Sequence, residues 1–339
     1  MKRNLILTIG LLMLAPAASA ALSVNYQFNG QGNWSLDGCG SSSNVCDISA
    51  EVPVGSTIET AFLYSSKTPG AVATPTVDFD GSTYSGVDWT HLGANAVSLS
   101  AYRADVTAQV VSKIGGGNAS PFTFSVLSES SSVDGEVLAI IYSNPAESTR
   151  TIAFLDGFSD SSGDTAALNL AHALTAAEKA SLEATMSLGI GFSYQTPSNQ
   201  TSVVDVNGIN LTNCAGGQDD GDSGGSGLIT VGGLGDDAGN GDINCGLGNA
   251  RRDDELYDLG SFMSTGDTQI VIDTLNPSND DNIFFAGFNI NVDANIVNCE
   301  DTNSCPNSNS APVPEPGTIL LISIGILGMA GRYKKISSS

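Results

Sequence analysis

An all-β architecture, a β-sandwich with the jelly roll as one of its forms, is what this sequence predicts. Three observations carry that expectation. Short segments of alternating apolar and polar residues recur between positions 22 and 300, as in Phe122-Thr123-Phe124-Ser125-Val126 and Phe288-Asn289-Ile290-Asn291-Val292. Gly, Asn, Asp and Ser fill the gaps, which is turn chemistry. Helical signals are confined to one or two short stretches, and the cysteines point to disulfide-closed loops.

In chain order, strands are expected at Thr57–Tyr64, Pro75–Phe79, Val97–Val106, Pro121–Leu127, Glu136–Tyr142, Arg150–Phe154, Met186–Tyr194, Thr201–Val206, Gln269–Thr274 and Asn282–Val292. The segment Asp105–Ile114 reads as a helix stopped by a Gly triplet and overlaps the end of one strand. Thr175 and Glu178 form a capping-box pattern, which starts a helix at Ala176 that runs to about Met186. Residues 214–250 are mostly Gly, Asp, Asn and Ser. They read as one long loop with a short strand at Leu228–Val231.

Both ends of the chain read as addresses. Lys2 and Arg3, the apolar stretch Leu5–Leu14 and the small residues Ala18-Ser19-Ala20 make a secretory signal peptide over 1–20. The β domain then covers 21–300, an Asn/Ser/Pro-rich linker 301–312, and a distinct terminal segment 313–339. Gly317–Gly331 is an apolar run of 15 residues, roughly 22 Å long as a helix, followed at once by Arg332, Lys334 and Lys335. That is a stop-transfer pattern with the basic flank on the cytoplasmic side.

Six cysteines fit an exported chain, because an oxidising compartment favours disulfides. Neighbour pairing gives Cys39 with Cys46, Cys214 with Cys245 and Cys299 with Cys305, one of the 15 pairings six cysteines allow. No Cys-x-x-Cys is present to suggest zinc. Without its two ends the body keeps 7 of 12 basic and 35 of 36 acidic residues, a net charge of about −28. Such a surface repels nucleic acid and anionic lipid and suits divalent cations.

The terminal segment resembles the PEP-CTERM sorting signal of Gram-negative bacteria, through Val313-Pro314-Glu315-Pro316, the apolar run and the closing Arg332. The resemblance implies export through the secretion machinery and transient anchoring in the inner membrane. It further implies recognition and cleavage by an exosortase, then release to the cell surface or an extracellular matrix rich in exopolysaccharide. A plain C-terminal membrane anchor is the competing reading. The body also resembles a β-rich module of exported bacterial and archaeal surface proteins over residues 55–298. The matching residues are Tyr102-Arg-Ala-Asp-Val-Thr107, Asp134-Gly-Glu136 leading into Leu138–Ser143, Phe154-Leu-Asp-Gly-Phe158, Val204-Asp-Val-Asn-Gly208, Asp253-Asp-Glu-Leu-Tyr257 and Asp280-Asp-Asn-Ile-Phe-Phe285. That likeness implies a surface location and carries over no catalytic residue.

Candidate chemistry is sparse. Gly221-Asp-Ser223-Gly-Gly225 looks like the nucleophile loop of trypsin-like proteases and also satisfies Gly-x-Ser-x-Gly. The upstream Ala-Ala-His-Cys of the first is absent around His91 and His172, and no strand–helix frame surrounds Ser223 for the second. No enzymatic activity is expected. Asp219, Asp220 and Asp222, with Asp236, Asp237 and Asp242, are candidate calcium ligands on flexible Gly-rich backbone. The EF-hand pattern fails, because its twelfth position falls on Val231 or Leu247. A solvated acidic loop is the simpler reading of the same residues. Trp34, Trp89 and Tyr84 could offer a sugar-stacking face or lie in the core, and Arg251-Arg252 beside Asp253-Asp254-Glu255 reads as an ion-pair cluster at a strand edge. The functional expectation is therefore a structural or adhesive surface protein, with a calcium-dependent glycan-binding module as the alternative.

Overall fold

The computed structural model describes residues 22–40, 44–67, 74–95, 99–128, 133–159, 161–191, 202–216, 229–236, 238, 255–278 and 281–298. The segments expected to be a signal peptide, a linker and a terminal sorting signal lie outside the described residues. In chain order the elements are β1 (Ser23–Gly40), β2 (Val45–Ala50), β3 (Thr57–Lys67), β4 (Val77–Phe79), β5 (Ser82–Tyr84), β6 (Thr90–Ala94), β7 (Ser100–Asp105), α1 (Thr107–Ile114), β8 (Phe122–Ser128), β9 (Val133–Ser143) and β10 (Thr149–Asp156). There follow β11 (Thr165–Leu170), α2 (Ala176–Ala180), β12 (Ala184–Gly191), β13 (Ser202–Val206), β14 (Ile209–Ala215), β15 (Ile229–Val231), β16 (Leu256–Asp258), β17 (Gln269–Leu275), β18 (Asn282–Ile290) and β19 (Ala294–Asn298). The fold is all-β and sandwich-like, with three antiparallel sheets.

β1 organises the largest sheet. Ser23–Gln31 pair with β10, and Gly32–Gly40 pair with β9. One strand thereby joins two half-sheets, β15-β12-β18-β10 on one side and β9-β3-β7-β6 on the other. The partner changes at Gly32, where a β-carbon would sit 2.3 Å from the Tyr142 carbonyl oxygen, so only glycine admits the approach.

The two halves face each other across a shared core. Leu36, Phe62, Tyr64, Val137, Ala139 and Ile141 from one half meet Ile152, Phe154, Phe284 and Phe285 from the other. Each outer face is then covered by a smaller sheet. β2-β8-β4-β5 and helix α1 close a second core over Leu63, Leu138 and Ile140. The sheet β14-β13-β17-β11-β19 closes a third over Leu155, Met186, Leu188 and Phe288.

This layering explains the sequence texture. β9 and β10 are buried on both faces, so Leu138-Ala-Ile-Ile-Tyr142 and Ile152-Ala-Phe-Leu155 run continuously apolar. Successive side chains go to opposite cores. β8 lies in an outer sheet with one wet face, and its pattern alternates. A bulge on β18 breaks the alternation where Gly189 pairs Phe285 and Ile190 pairs Ile283. Phe284 and Phe285 therefore both enter the central core.

Both helices are shorter than the sequence suggests. Asp105 ends β7, and its carboxylate accepts the Thr107 amide at 2.9 Å, so α1 begins only at Thr107. The capping box of α2 is present: Thr175 Oγ1 accepts the Glu178 amide and the Glu178 carboxylate accepts the Thr175 amide. The helix nevertheless stops at Ala180, because Ala184–Gly191 is taken into the sheet opposite β18 and Met186 and Leu188 are buried there. Strand pairing overrides the local helical pattern. Hydrogen bonds from Thr175 and His172 hold the Glu178 carboxyl down to about 2. A depressed carboxyl stabilises the fold above its unfolded value of 4.5, and that contribution disappears as pH falls towards 2. Replacing Thr175 by Ala should cost about 1 kcal/mol, read as a lower urea midpoint at pH 7 and a smaller loss between pH 4 and 2.

Candidate functional site

Several segments quoted above for the body converge on the central core. Arg103 of β7 ion-pairs with Asp156 of β10, and Tyr64 of β3 donates to the same Asp156 oxygen at 3.2 Å. The Arg103 guanidinium lies 5.3 Å over the Phe62 ring, and Tyr64 packs 5.1 Å from Phe285. β7 and β10 belong to opposite half-sheets, so the pair ties the two halves together. Burial pushes the Asp156 carboxyl up, with Arg103 and Tyr64 pulling it back. The Tyr64 phenol is driven well above its ordinary value, first by burial and then by the Asp156 charge. Each charge here is engaged by the other, which makes the cluster a clamp.

Asp134-Gly135-Glu136 opens β9. Gly135 lies opposite Gly40 of β1, and a β-carbon on Gly135 would sit 2.3 Å from the Cys39 carbonyl oxygen. The close contact explains the glycine. Asp134 Oδ2 accepts the Ser66 hydroxyl at 3.2 Å, whereas Glu136 Oε1 accepts those of Ser128 at 2.8 Å and Ser65 at 3.4 Å. Ser65 and Ser66 face opposite sides of β3, and a bulge at Asp134, where Ser66 pairs Gly135 and Lys67 pairs Val133, turns the two acids, two residues apart, to opposite sides as well. Burial pushes the Glu136 carboxyl up to about 7, against the two serine hydrogen bonds. Glu136 also stands directly across from Cys39, and Cys39 and Cys46 form a disulfide.

Glu255 and Asp281 are two further buried acids, and both adopt positive φ, 55° and 47°. Glu255 accepts the Gly216 amide at 2.6 Å through one oxygen and the Tyr257 hydroxyl at 2.7 Å through the other. A β-carbon on Gly216 would lie 2.9 Å from Asp281 Cβ, so this glycine is wedged beside both acids. Glu255 is thus an interior residue; Arg251, Arg252, Asp253 and Asp254, the other members of the expected ion-pair cluster, lie outside the described residues. Nothing in the sequence distinguishes Glu255 from the many surface acids around it.

Of the calcium candidates, Asp236 is described. Its Oδ2 accepts the Gly233 amide at 2.6 Å and closes a short turn. Asp219, Asp220, Asp222, Asp237 and Asp242 lie outside the described residues. So do Ser223, Cys245, Cys299, Cys305 and the Cys214 side chain. Trp89 is 7% exposed and sits in the core beneath the four-stranded sheet. Trp34 is partly buried against the central core, over Gly287. Tyr84 packs on the same core as Trp89, so the aromatic trio is mostly interior. His91 is exposed with its ring 5.1 Å from that of Tyr102, and the His172 ring bonds Glu178 at 2.8 Å.

The decisive feature lies at the C-terminus. Residues 312–335 match the PEP-CTERM protein-sorting motif. The PEP-CTERM motif marks an exported protein that is recognised and processed by an exosortase and sorted to the cell surface. Its residues Val313, Pro314, Glu315, Pro316 and Arg332 lie outside the described residues. Among those that are described, no helix is long and apolar enough to cross a membrane. No curated protein matches the chain. Among solved structures, a chain titled recombinant peptide N-glycanase F (PNGase F) aligns at 12% identity over 80% of this chain and 99% of its own. Its TM-score is 0.24, and at that value the likeness extends to neither fold nor activity.

Proposed function

We propose that the body is a non-catalytic, structural or adhesive component of the cell envelope or of an exopolysaccharide matrix. The PEP-CTERM motif carries this reading, since sorting to the surface is what its processing achieves. The chemistry of the body suits the role. Buried acids are engaged with serines, tyrosines and backbone amides inside the layers, while a net charge of about −28 leaves the surface strongly acidic. Calcium would be held by Asp219, Asp220, Asp222, Asp236, Asp237 and Asp242. It would supply a cross-link between these acidic loops and anionic groups of the polysaccharide. A calcium-dependent glycan-binding module is the alternative reading, set apart from a passive matrix protein by specific binding to the native polysaccharide.

The test is the mass and location of the mature protein in cells with and without a functional exosortase. Cleavage near Val313-Pro314-Glu315-Pro316 should remove roughly 25 residues only when the enzyme is present, with the product in the surface or matrix fraction. An intact tail retained in the inner membrane in both strains would overturn the proposal. Calcium should also raise the melting temperature of the purified body and promote its retention on the native polysaccharide. An unchanged melt and unchanged retention would remove calcium from the role.

A further inference from the structure

The Cys39–Cys46 disulfide has a neighbour that a purely structural bridge does not require. Cys39 on β1 and Glu136 on β9 are cross-strand partners, and β2 brings Cys46 to the same place. The two sulfurs and a Glu136 oxygen all lie within 4.8 Å of one another. The arrangement is asymmetric. Glu136 is 1% exposed and Cys39 8%, while Cys46 is partly exposed, so Cys46 is the more open of the two cysteines and Cys39 is the one directly across the ladder from the carboxyl. Burying a carboxyl in a β core is costly, and an apolar side chain of similar size would pack there without that penalty.

Two serines hold the carboxyl in place from β3 and β8, and Gly135 lets β1 come close enough to set Cys39 against it. The groups facing Glu136 are Cys39 from β1, Cys46 from β2, Ser65 from β3 and Ser128 from β8. Burial and the two serines set its proton affinity; among the described residues no charged side chain acts on it.

We propose that Cys39, Cys46 and Glu136 form a dithiol–disulfide exchange site, in which Glu136 is the proton donor to Cys39 on reduction and the acceptor on reoxidation. The partner is a dithiol. One of its thiolates attacks the sulfur of Cys46, the more open cysteine, forming a mixed disulfide and breaking the Cys39–Cys46 bond. The Cys39 sulfur leaves with the bonding electrons and takes the Glu136 proton, so a thiol and a carboxylate result. The second thiol of the partner, its proton lost to water, then attacks the partner's own sulfur in the mixed disulfide. Cys46 is released as a thiolate that water protonates. The dithiol is oxidised by two electrons and the protein disulfide reduced by two; reoxidation runs the same steps backwards. Thiol–disulfide exchange is faster when the leaving sulfur is stabilised, and a buried carboxylic acid titrating near neutrality matches a general acid's needs.

The experiment measures reduction of the folded protein by dithiothreitol, read by alkylation and intact mass between pH 5.5 and 8.5. Rates are expressed per dithiothreitol thiolate, and near-UV circular dichroism reports the fold. In the wild type the rate should fall by about 10-fold as pH rises through about 7. Glu136→Gln should be slow and flat across the range. Ser128→Ala keeps the acid and removes a hydrogen bond that favours its ionised form, so its inflection should move to higher pH. Identical profiles for wild type and Glu136→Gln would overturn the proposal. So would an inflection unmoved by Ser128→Ala, or a reduction rate that tracks global unfolding in urea.

Discussion

Replacing Asp156 by Ala should destabilise the protein by about 3 kcal/mol, at the lower end of what losing one partner of a buried ion pair costs. The lower end applies because the Arg103 side chain keeps 20% of its exposure, while that of Asp156 keeps 6%. Truncation strips Arg103 of its counter-charge and the buried Tyr64 hydroxyl of its acceptor at the same time. It also unties β7 from β10, the point where the two halves of the folded sheet are joined by charge. Chemical denaturation at pH 7 reads the loss directly. Asp156→Asn separates the contributions, because it keeps an acceptor for Tyr64 and loses the charge. The double variant Arg103→Met with Asp156→Leu should recover most of the loss, since an apolar pair of similar volume often replaces a buried ion pair at little cost. A double variant as unstable as Asp156→Ala would mean that the pair supplies geometry an apolar contact does not reproduce.

Glu136→Gln should make the protein more stable at pH 8 and leave it little changed at pH 4. The folded state holds the Glu136 proton up to about 7, whereas the unfolded chain releases it near 4.5. Between those values the native protein binds more protons than the unfolded chain, so stability falls as pH rises and levels off above 7. The decline amounts to about 3 kcal/mol, because each pH unit separating the folded from the unfolded value is worth about 1.4 kcal/mol. Burial likewise pushes Asp37 up to about 6, the backbone amides of Ser49 and Gly38 opposing it, so part of the decline survives in the variant. Urea titrations of both proteins at half-unit steps from pH 4 to 8.5 would show the gap opening. A constant offset across the range would assign the effect to packing instead.

The sequence makes the apolar strands legible and conceals the ones that hold the layers apart. Glu136–Tyr142 and Arg150–Phe154 announce themselves because both faces of β9 and β10 need apolar residues. β1 does not, since Asn25, Gln27, Asn29, Gly30, Gln31, Gly32 and Asn33 read as turn chemistry. They form a strand because β9 and β10 supply the pairing, which is tertiary context and not a property of the segment. β11 and β19 are equally silent for the same reason. Short-range chemistry is legible at Thr175 and Glu178 and at the Cys39–Cys46 pair. The length of α2 is not, because there a local pattern loses to pairing with β18. Glu136 and Glu255 cannot be told from surface acids, because burial of a carboxylate is decided by register and bulges that no window of sequence contains.

The reach of β1 has a consequence for the order of events during export. This strand comes first among the described elements, yet its ladder partners β9 and β10 lie far downstream, at Val133–Ser143 and Thr149–Asp156. β10 in turn waits for β18, near the end of the body. Closing such distant pairs is entropically expensive, and chains dominated by them fold slowly. Beyond its local bridge to β2 through Cys39 and Cys46, the leading segment therefore has no ladder partner until β9 and β10 are available. For an exported protein, assembly of the central sheet is thereby delayed by the topology itself.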